Sequence, residues 1–252
     1  MPQFIVACAD LDLPQHRAVL RGAEAKHCAA VLRLRPGDAL LLTDGAGRRW
    51  QGVCAVVQVA CVQVEQLQPL HANEPNLHLE LLQGLPKGER WEDLLEKGTE
   101  LGIGAFRPLY TAHSVPHLGA CRVEKRLTRW REKLHAAVKQ CERSQVPLLH
   151  APVPLKDGLQ QLPPPGKREL RLVLTERNPG APWPARDRVE QVYLAVGPEG
   201  GWSESELPEL EAAGFLPLSL GPRILRTDTA ALAGSALIMQ RWGDLVSCGT
   251  GW

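Results

Sequence analysis

No apolar run in this 252-residue chain approaches the about 20 residues that cross a bilayer, so no membrane span is expected. The opening MPQFIVACADLD lacks a basic segment followed by a long apolar one, so no signal peptide is expected either. The seven cysteines are odd in number and none pairs as CxxC. That argues against a disulfide framework or a zinc site. The thiols are expected as small buried hydrophobes in a reducing cytoplasm. Charge of one sign is also missing: the formal net charge is +1, which gives no global field for a nucleic acid. Neither the dinucleotide pattern GxGxxG nor a phosphate-binding GxxxxGK loop occurs. His113 and His117 have a metal-compatible spacing, but Pro116 lies between them and no third ligand follows, so no metal site is expected.

What remains is the composition of a globular protein, 44% hydrophobic and 23% charged, long enough for one large domain or two ordinary ones. Residues 1 to about 70 read as strands. Gln3 to Ala7, Asp38 to Thr43, Trp50 to Ala60 and Cys61 to Leu67 are short and rich in β-branched residues, with Val62, Val64 and Gln66 placed on one face. Glu24 to Leu34 has helical spacing and stops before Pro36-Gly37. A small β-barrel with one short helix is expected, and Lys26, His27, Arg33 and Arg35 gather on it. The pattern leaves RNA docking and a plain structural role both open. The polar stretch His71 to Asn76 reads as a linker.

Beyond it strands and helices alternate, which predicts an α/β domain with a parallel sheet covered on both faces. Strands are expected at Leu77 to Leu81, Ile103 to Tyr110, Leu170 to Thr175, Gln191 to Val196 and Leu216 to Leu220. Helices are expected from Trp91 to Leu101, with Gly102 as stop, from Val123 to Cys141, and from Thr227 to Trp242. Gly98 lies inside the first of these and is expected to let another backbone pack closely. The stretches Gly158 to Arg168 and Asn178 to Arg186 read as loops. Eight Lys or Arg against three Glu between Arg122 and Arg143 make a local basic surface or a solvated helix face.

In open α/β sheets ligands sit outside the carboxyl ends of strands. The loops after Thr175, Val196 and Leu220 are placed there. Gly197, Gly200 and Gly201 remove side chains where a ligand would meet main chain, Pro198 stiffens the turn, and Ser203 with Glu206 has capping-box spacing. Glu199 would repel a phosphate, so an adenosine-type ligand held by backbone groups fits better than a phosphate, although GPEGG taken alone reads more readily as a tight structural turn. In the second loop Gly221-Pro222 turns the chain. Arg223 and Arg226 supply two cations, suited to a phosphate, a base edge or a structural carboxylate. Ile224 and Leu225 add apolar contacts, Thr227 is the expected N-cap, and Asp228 complements the helix dipole.

GPEGGWSESE (Gly197 to Glu206) and LGPRILRTDTA (Leu220 to Ala230) resemble the 16S ribosomal RNA uridine-N3 methyltransferases of the RsmE type, within the SPOUT class. Leu85 to Gly88, KGTELG from Lys97, QCERSQVP from Gln140, and His27 with Val31-Leu32-Arg33 and Gly37-Asp38 are similar too, so the resemblance spans nearly the whole chain. Asp228 stands where Glu is usual, and Gly98 where Ala is common.

The resemblance implies a PUA-like RNA-docking barrel over 1–71 and a trefoil-knotted SPOUT methyltransferase domain over 75–252. It implies S-adenosyl-L-methionine as methyl donor, 16S rRNA or the assembled small ribosomal subunit as substrate, and a homodimer. The donor is expected against Thr175, Gly197, Pro198, Gly200, Leu220, Gly221, Ile224, Leu225, Thr229 and Ala230. Arg226 is expected beside the target uridine, with Glu199 as proton acceptor. Arg33, Lys87, Arg143, Arg223 and the basic helix are expected to contact RNA. Rival readings are a non-catalytic RNA-binding assembly factor, a SPOUT enzyme acting on transfer RNA and, more distantly, a nucleotide-dependent α/β enzyme.

Overall fold

Valine- and leucine-rich segments with period-two burial build the first of two units in the computed structural model, which describes residues 1–114, 119–176 and 183–245. This unit comprises Met1–Glu74 together with His135–Val146. Its strands are β1 (Gln3–Ile5), β2 (Leu11–Asp12), β3 (Arg17–Arg21), β4 (Ala39–Thr43), β5 (Arg49–Val57) and β6 (Cys61–Leu70). They form one sheet in the order β1-β4-β5-β6-β3-β2, parallel between β1 and β4 and antiparallel elsewhere. The sheet curls around Phe4, Leu20, Leu40, Leu42, Trp50, Val62 and Val64. β2 and β3 were not expected from sequence.

In β6 Val62 and Val64 face the core as expected, but Gln66 does not. Gln66 adopts a left-handed φ of 57°, and Leu67 turns inward instead, 2% exposed. The β5–β6 register shifts at this point. Gly52 on β5 makes the room: a Cβ there would lie 2.6 Å from Val64 and 2.9 Å from Leu67. The helix begins earlier and ends sooner than expected. α1 (Gly22–Lys26) continues through a wider turn over His27–Val31, and Arg33, with φ 55°, ends it ahead of Pro36.

The His135–Val146 segment is tied to this unit by buried polar bonds. Gln3 Nε2 donates to the carbonyls of Val138 (3.1 Å) and Arg143 (2.7 Å), and Thr43 Oγ1 donates to that of Ser144 (2.6 Å). The Glu74 carboxylate accepts from Arg143 Nη2 at 2.6 Å and from the backbone N–H groups of Ser144 and Gln145, both at 2.8 Å. A fully bonded carboxylate of this kind replaces lost hydration with charge-assisted contacts.

The second unit, Pro75–Leu134 with the chain from Pro147 onward, is built on a parallel sheet. Its strands are β7 (His78–Gly84), β8 (Ala105–Tyr110), β9 (Leu148–Leu149), β10 (Val153–Pro154), β11 (Glu169–Leu174), β12 (Gln191–Val196) and β13 (Leu216–Leu218). The order is β10-β8-β7-β12-β11-β13, with β9 also on β8. Nearly continuous burial along β7, β8, β11 and β12 is that of strands covered on both faces. α4 (Leu155–Gln160) and α5 (Glu206–Ala212) cover one face, where Leu155 and Leu210 meet Leu82, Val173 and Ala195. On the other lie α2 (Arg90–Glu100) and α6 (Thr227–Trp242), whose Gly234 brings the helix against Leu174 and Leu194. α3 (Ala120–Gln140) is the expected long helix, and its residues from His135 onward belong to the first unit.

Gly98 admits side chains and not another backbone: its Cβ would lie 2.8 Å from Ile103 and 3.0 Å from the Phe106 ring. α4 takes the start of the stretch expected as loop, and α5 follows the expected capping box. β9 and β10 are two residues each, too short to show a period. Arg107, 4% exposed, donates to Glu80 (2.6 Å) and Gln161 (2.7 Å), and lies 3.2 Å from His150 Nε2.

Glu74→Ala removes the carboxylate from a buried guanidinium and is expected to cost about 3–5 kcal/mol, read as a lower urea midpoint; an unchanged midpoint refutes it. His150 is held below its ordinary imidazole pKa, first by burial and then by the Arg107 charge. The folded state therefore keeps a neutral ring that the unfolded chain protonates. Its contribution is complete above about pH 6.5 and is lost as pH falls below that value. The stability advantage of the wild type over His150→Gln should shrink between ~pH 7.5 and ~pH 5.5; a gap that does not change with pH contradicts this.

Candidate active site

β7, β12, β11 and β13 are neighbours and parallel, so the loops leaving their carboxyl ends rise on the same edge of the sheet. They enclose a pocket of about 380 Å³. Thr175 lines it from β11. Gly197, Pro198, Glu199 and Gly200 line it from β12. Leu220, Gly221, Arg223, Ile224, Leu225 and Arg226 line it from β13, and Ala230 lines it from α6. Of the residues expected around the donor, Thr229 alone is not on this wall; it is exposed on α6. Glu176 and Trp202 also line the pocket and were not anticipated.

One hydroxyl joins the two diagnostic loops. Thr227 Oγ1 donates to the Gly197 carbonyl and accepts from Gln83 Nε2 at 2.9 Å. Gln83, 1% exposed, also donates to the carbonyl of Gly84 at 2.8 Å. Thr227 is therefore not the N-cap: Arg226 occupies that position with no side-chain cap bond, and the Thr227 hydroxyl is spent between loops. Asp228 lies in the first turn, as expected for the helix dipole. Gln83 escaped notice in the sequence, although a glutamine amid the leucines of LELLQG was its signal. Where β7 ends, the chains cross closely. A Cβ on Gly84 would lie 2.6 Å from Pro198 Cδ and 2.8 Å from its nitrogen. Trp202 Nε1 donates to the Leu174 carbonyl at 3.2 Å, linking the β12 loop to β11.

The loop after β12 is also held from outside. Ser203 and Glu206 form the expected reciprocal capping box, at 2.8 and 3.3 Å, and the same carboxylate accepts from Ala112 N–H at 2.7 Å. His113 packs on Gly200, whose Cβ would lie 2.7 Å from the histidine Cβ. His117 lies outside the described residues, among which no group of three or more His, Cys, Asp or Glu is placed to hold a metal.

Glu199, the expected proton acceptor, already has partners. Its Oε1 accepts from Arg90 Nη1 at 2.7 Å and from the Lys87 backbone N–H at 3.1 Å, so its lone pairs latch the β7 loop to the β12 loop. Arg90 is a second residue the sequence did not single out; it sits in the first turn of α2 beside LPKG. Arg143 also leaves the set of RNA contacts: it is 5% exposed and bound to Glu74. Lys87, Arg33 and Arg223 are exposed. Among the described residues Arg223 and Arg226 make no ion pair, which leaves two cations on the pocket rim.

The chain matches two family models, an RNA methyltransferase domain over residues 73–239 and an RNA methyltransferase PUA domain over 20–54. It is 33% identical to the ribosomal RNA small subunit methyltransferase E of Synechocystis sp., over 87% of this chain and 71% of that one. With the protein of the same description from Mycobacterium tuberculosis it shares 34% identity, over 89% and 88% of the two chains. A crystal structure of the Neisseria gonorrhoeae ribosomal RNA small subunit methyltransferase E, bound to S-adenosyl methionine, superposes with a TM-score of 0.87 at 30% identity and covers 98% of this chain and all of that one. The curled N-terminal sheet is thus the PUA-like part of the fold and the parallel sheet its methyltransferase part. By model, by relatives and by fold, this chain belongs to the RNA methyltransferase family that includes the ribosomal RNA small subunit methyltransferase E proteins.

Proposed function

We propose that the chain methylates N3 of a uridine in 16S ribosomal RNA, with S-adenosyl-L-methionine as donor. The observation that carries this reading is the pocket at the carboxyl ends of β11, β12 and β13, walled by glycine turns and locked by Thr227. The residues present fit the donor. Gly197, Gly200 and Gly221 keep side chains off the wall, and a Cβ on Gly197 would come within 3.2 Å of Gly201. Leu220, Ile224 and Leu225 offer apolar surface to an adenine. When bound, the donor supplies an electrophilic methyl group.

The chain's own residues do the rest. The two loops hold donor and base in line, which contributes several kcal/mol through alignment alone. Arg226, exposed on the rim at the start of α6, stabilises the negative charge that develops on the uracil imide or holds a neighbouring phosphate. Arg33 on the PUA-like part, with Lys87, Arg223 and the basic face of α3, supplies phosphate contacts that position the RNA without reading its sequence. The domain assignment proposed is PUA-like over 1–71 and methyltransferase over 75–252, except that His135–Val146 packs with the PUA-like strands. A trefoil-knotted path, a homodimer and a cytoplasmic site of action accompany the reading. No helix among the described residues is long and apolar enough to cross a membrane.

In vitro methylation with naked 16S rRNA and assembled small subunits as separate substrates, followed by mass spectrometry of the nucleosides, tests the reaction; methyl on any atom but uridine N3 refutes it. Arg226→Ala should lower the single-turnover rate by about 10²–10⁴-fold at saturating RNA and donor, with S-adenosylhomocysteine affinity retained by calorimetry. Gly197→Val should abolish that calorimetric signal, and normal binding by this variant would show that the pocket is misplaced. A monomer in sedimentation at micromolar concentration would remove the dimer.

A further inference from the structure

Transfer of a methyl group to N3 of uridine needs an acceptor for the N3 proton, and the pocket contains few. Among the described residues its lining includes no His, Cys, Tyr or Lys. The described lining holds two carboxylates, Glu176 and Glu199. Glu199 is engaged by Arg90 and by the Lys87 N–H. Glu176 makes no hydrogen bond or ion pair among the described residues, and it is exposed toward the pocket mouth.

Its position in the fold is central and held from both sides. β11 lies between β12 and β13, so the residue that follows it rises between the two loops that form the other walls. Immediately before Glu176, the Thr175 N–H donates to the Leu218 carbonyl of β13 at 3.1 Å. One residue earlier, the Leu174 carbonyl accepts from Trp202 of the β12 loop. The backbone that presents Glu176 is thereby pinned to both neighbouring walls, while its carboxylate keeps its lone pairs.

We propose that Glu176 is the proton acceptor of the reaction, an inference that rests on the methyl-transfer reading above. The N3–H bond breaks and its proton passes to a Glu176 carboxylate oxygen. The electron pair left on N3 forms the new bond to the methyl carbon. The pair of the broken carbon–sulfur bond stays on sulfur, which changes from a sulfonium to a neutral thioether. One negative carboxylate and one positive sulfonium are lost together, so the step conserves charge. Arg226 on the facing wall then meets the imide charge while it exists. Glu199 keeps the loops registered and takes no part in the proton transfer.

The test is Glu176→Gln, with Glu176→Asp as the conservative variant. Single-turnover methylation of the RNA substrate is followed across pH, and S-adenosylhomocysteine binding is measured by calorimetry. The glutamine variant should bind S-adenosylhomocysteine like the wild type, which also shows that it is folded. Its rate near neutrality should fall on the order of 10²–10⁴-fold, the usual loss for a general base, and the aspartate variant should recover part of it. The glutamine variant's rate should then climb about tenfold per pH unit toward the alkaline range, where the imide ionises unaided, while the wild-type profile levels off. A wild-type rate in the glutamine variant, a loss that runs parallel to wild type at every pH, or a loss matched by weakened S-adenosylhomocysteine binding each overturns the inference. A wild-type protein that transfers no methyl group to uridine N3 overturns the underlying reading instead, so the two failures are told apart.

Discussion

The Thr227 hydroxyl can donate one proton and accept at its lone pairs, and both capacities are committed inside the second unit. By donating to the Gly197 carbonyl and accepting from Gln83, it fixes the start of α6, the turn after β12 and the end of β7 at one point. The three groups are buried, so a lost partner would leave a polar atom without water to replace it. The pocket exists because this junction holds. Glycine at 84 and 197 lets the backbones come close enough for the bonds to form, and the close approach of Pro198 to Gly84 leaves no slack for the turn to shift.

Around that junction the charged residues divide their work by whether they already have partners. Glu199 and Arg90 face each other and spend their charge on joining loops, as Glu74 and Arg143 do in the first unit. Glu206 is used twice, as the reciprocal half of a capping box and as the acceptor for Ala112 N–H. Arg223, Arg226 and Glu176 are the pocket charges without such commitments among the described residues, and they are the ones available to a ligand. The same chemical type thus does structural work at one position and faces the pocket at another, and the hydrogen-bond partners tell the two apart.

The strands and helices of the second unit were legible because period and length agreed: Gln191–Val196 and Thr227–Trp242 begin and end where the residues predict. The two site loops were legible because glycine, proline and arginine cluster between elements. What escaped had a physical reason in each case. β9 and β10 are too short to carry a period. Leu67 replaces Gln66 on the core face because a left-handed backbone shifts the strand register, which alternation along one strand cannot reveal. Arg143 looked like a surface cation because its partner Glu74 lies 69 residues away in sequence. Glu199 looked like a base for the same kind of reason, since Arg90 comes from a distant helix. Glu176 lies beside a loop with no motif, and only the convergence of three strand ends gives it a role.

The clamp of Glu74 on Arg143, Ser144 and Gln145 also has a bearing on how the protein is made. The N-terminal sheet is contiguous in sequence, yet Gln3 and Thr43 find their partners only in the segment ending at Val146. During synthesis, which proceeds at about 5–20 residues per second, the first 74 residues leave the ribosome well before those partners exist. The sheet must wait, with those polar groups hydrated, until the start of the second unit and most of α3 have followed it. The order in which the two units are completed is therefore interleaved, and a fragment cut at the apparent linker would carry the PUA-like strands without the chain that closes their polar edge.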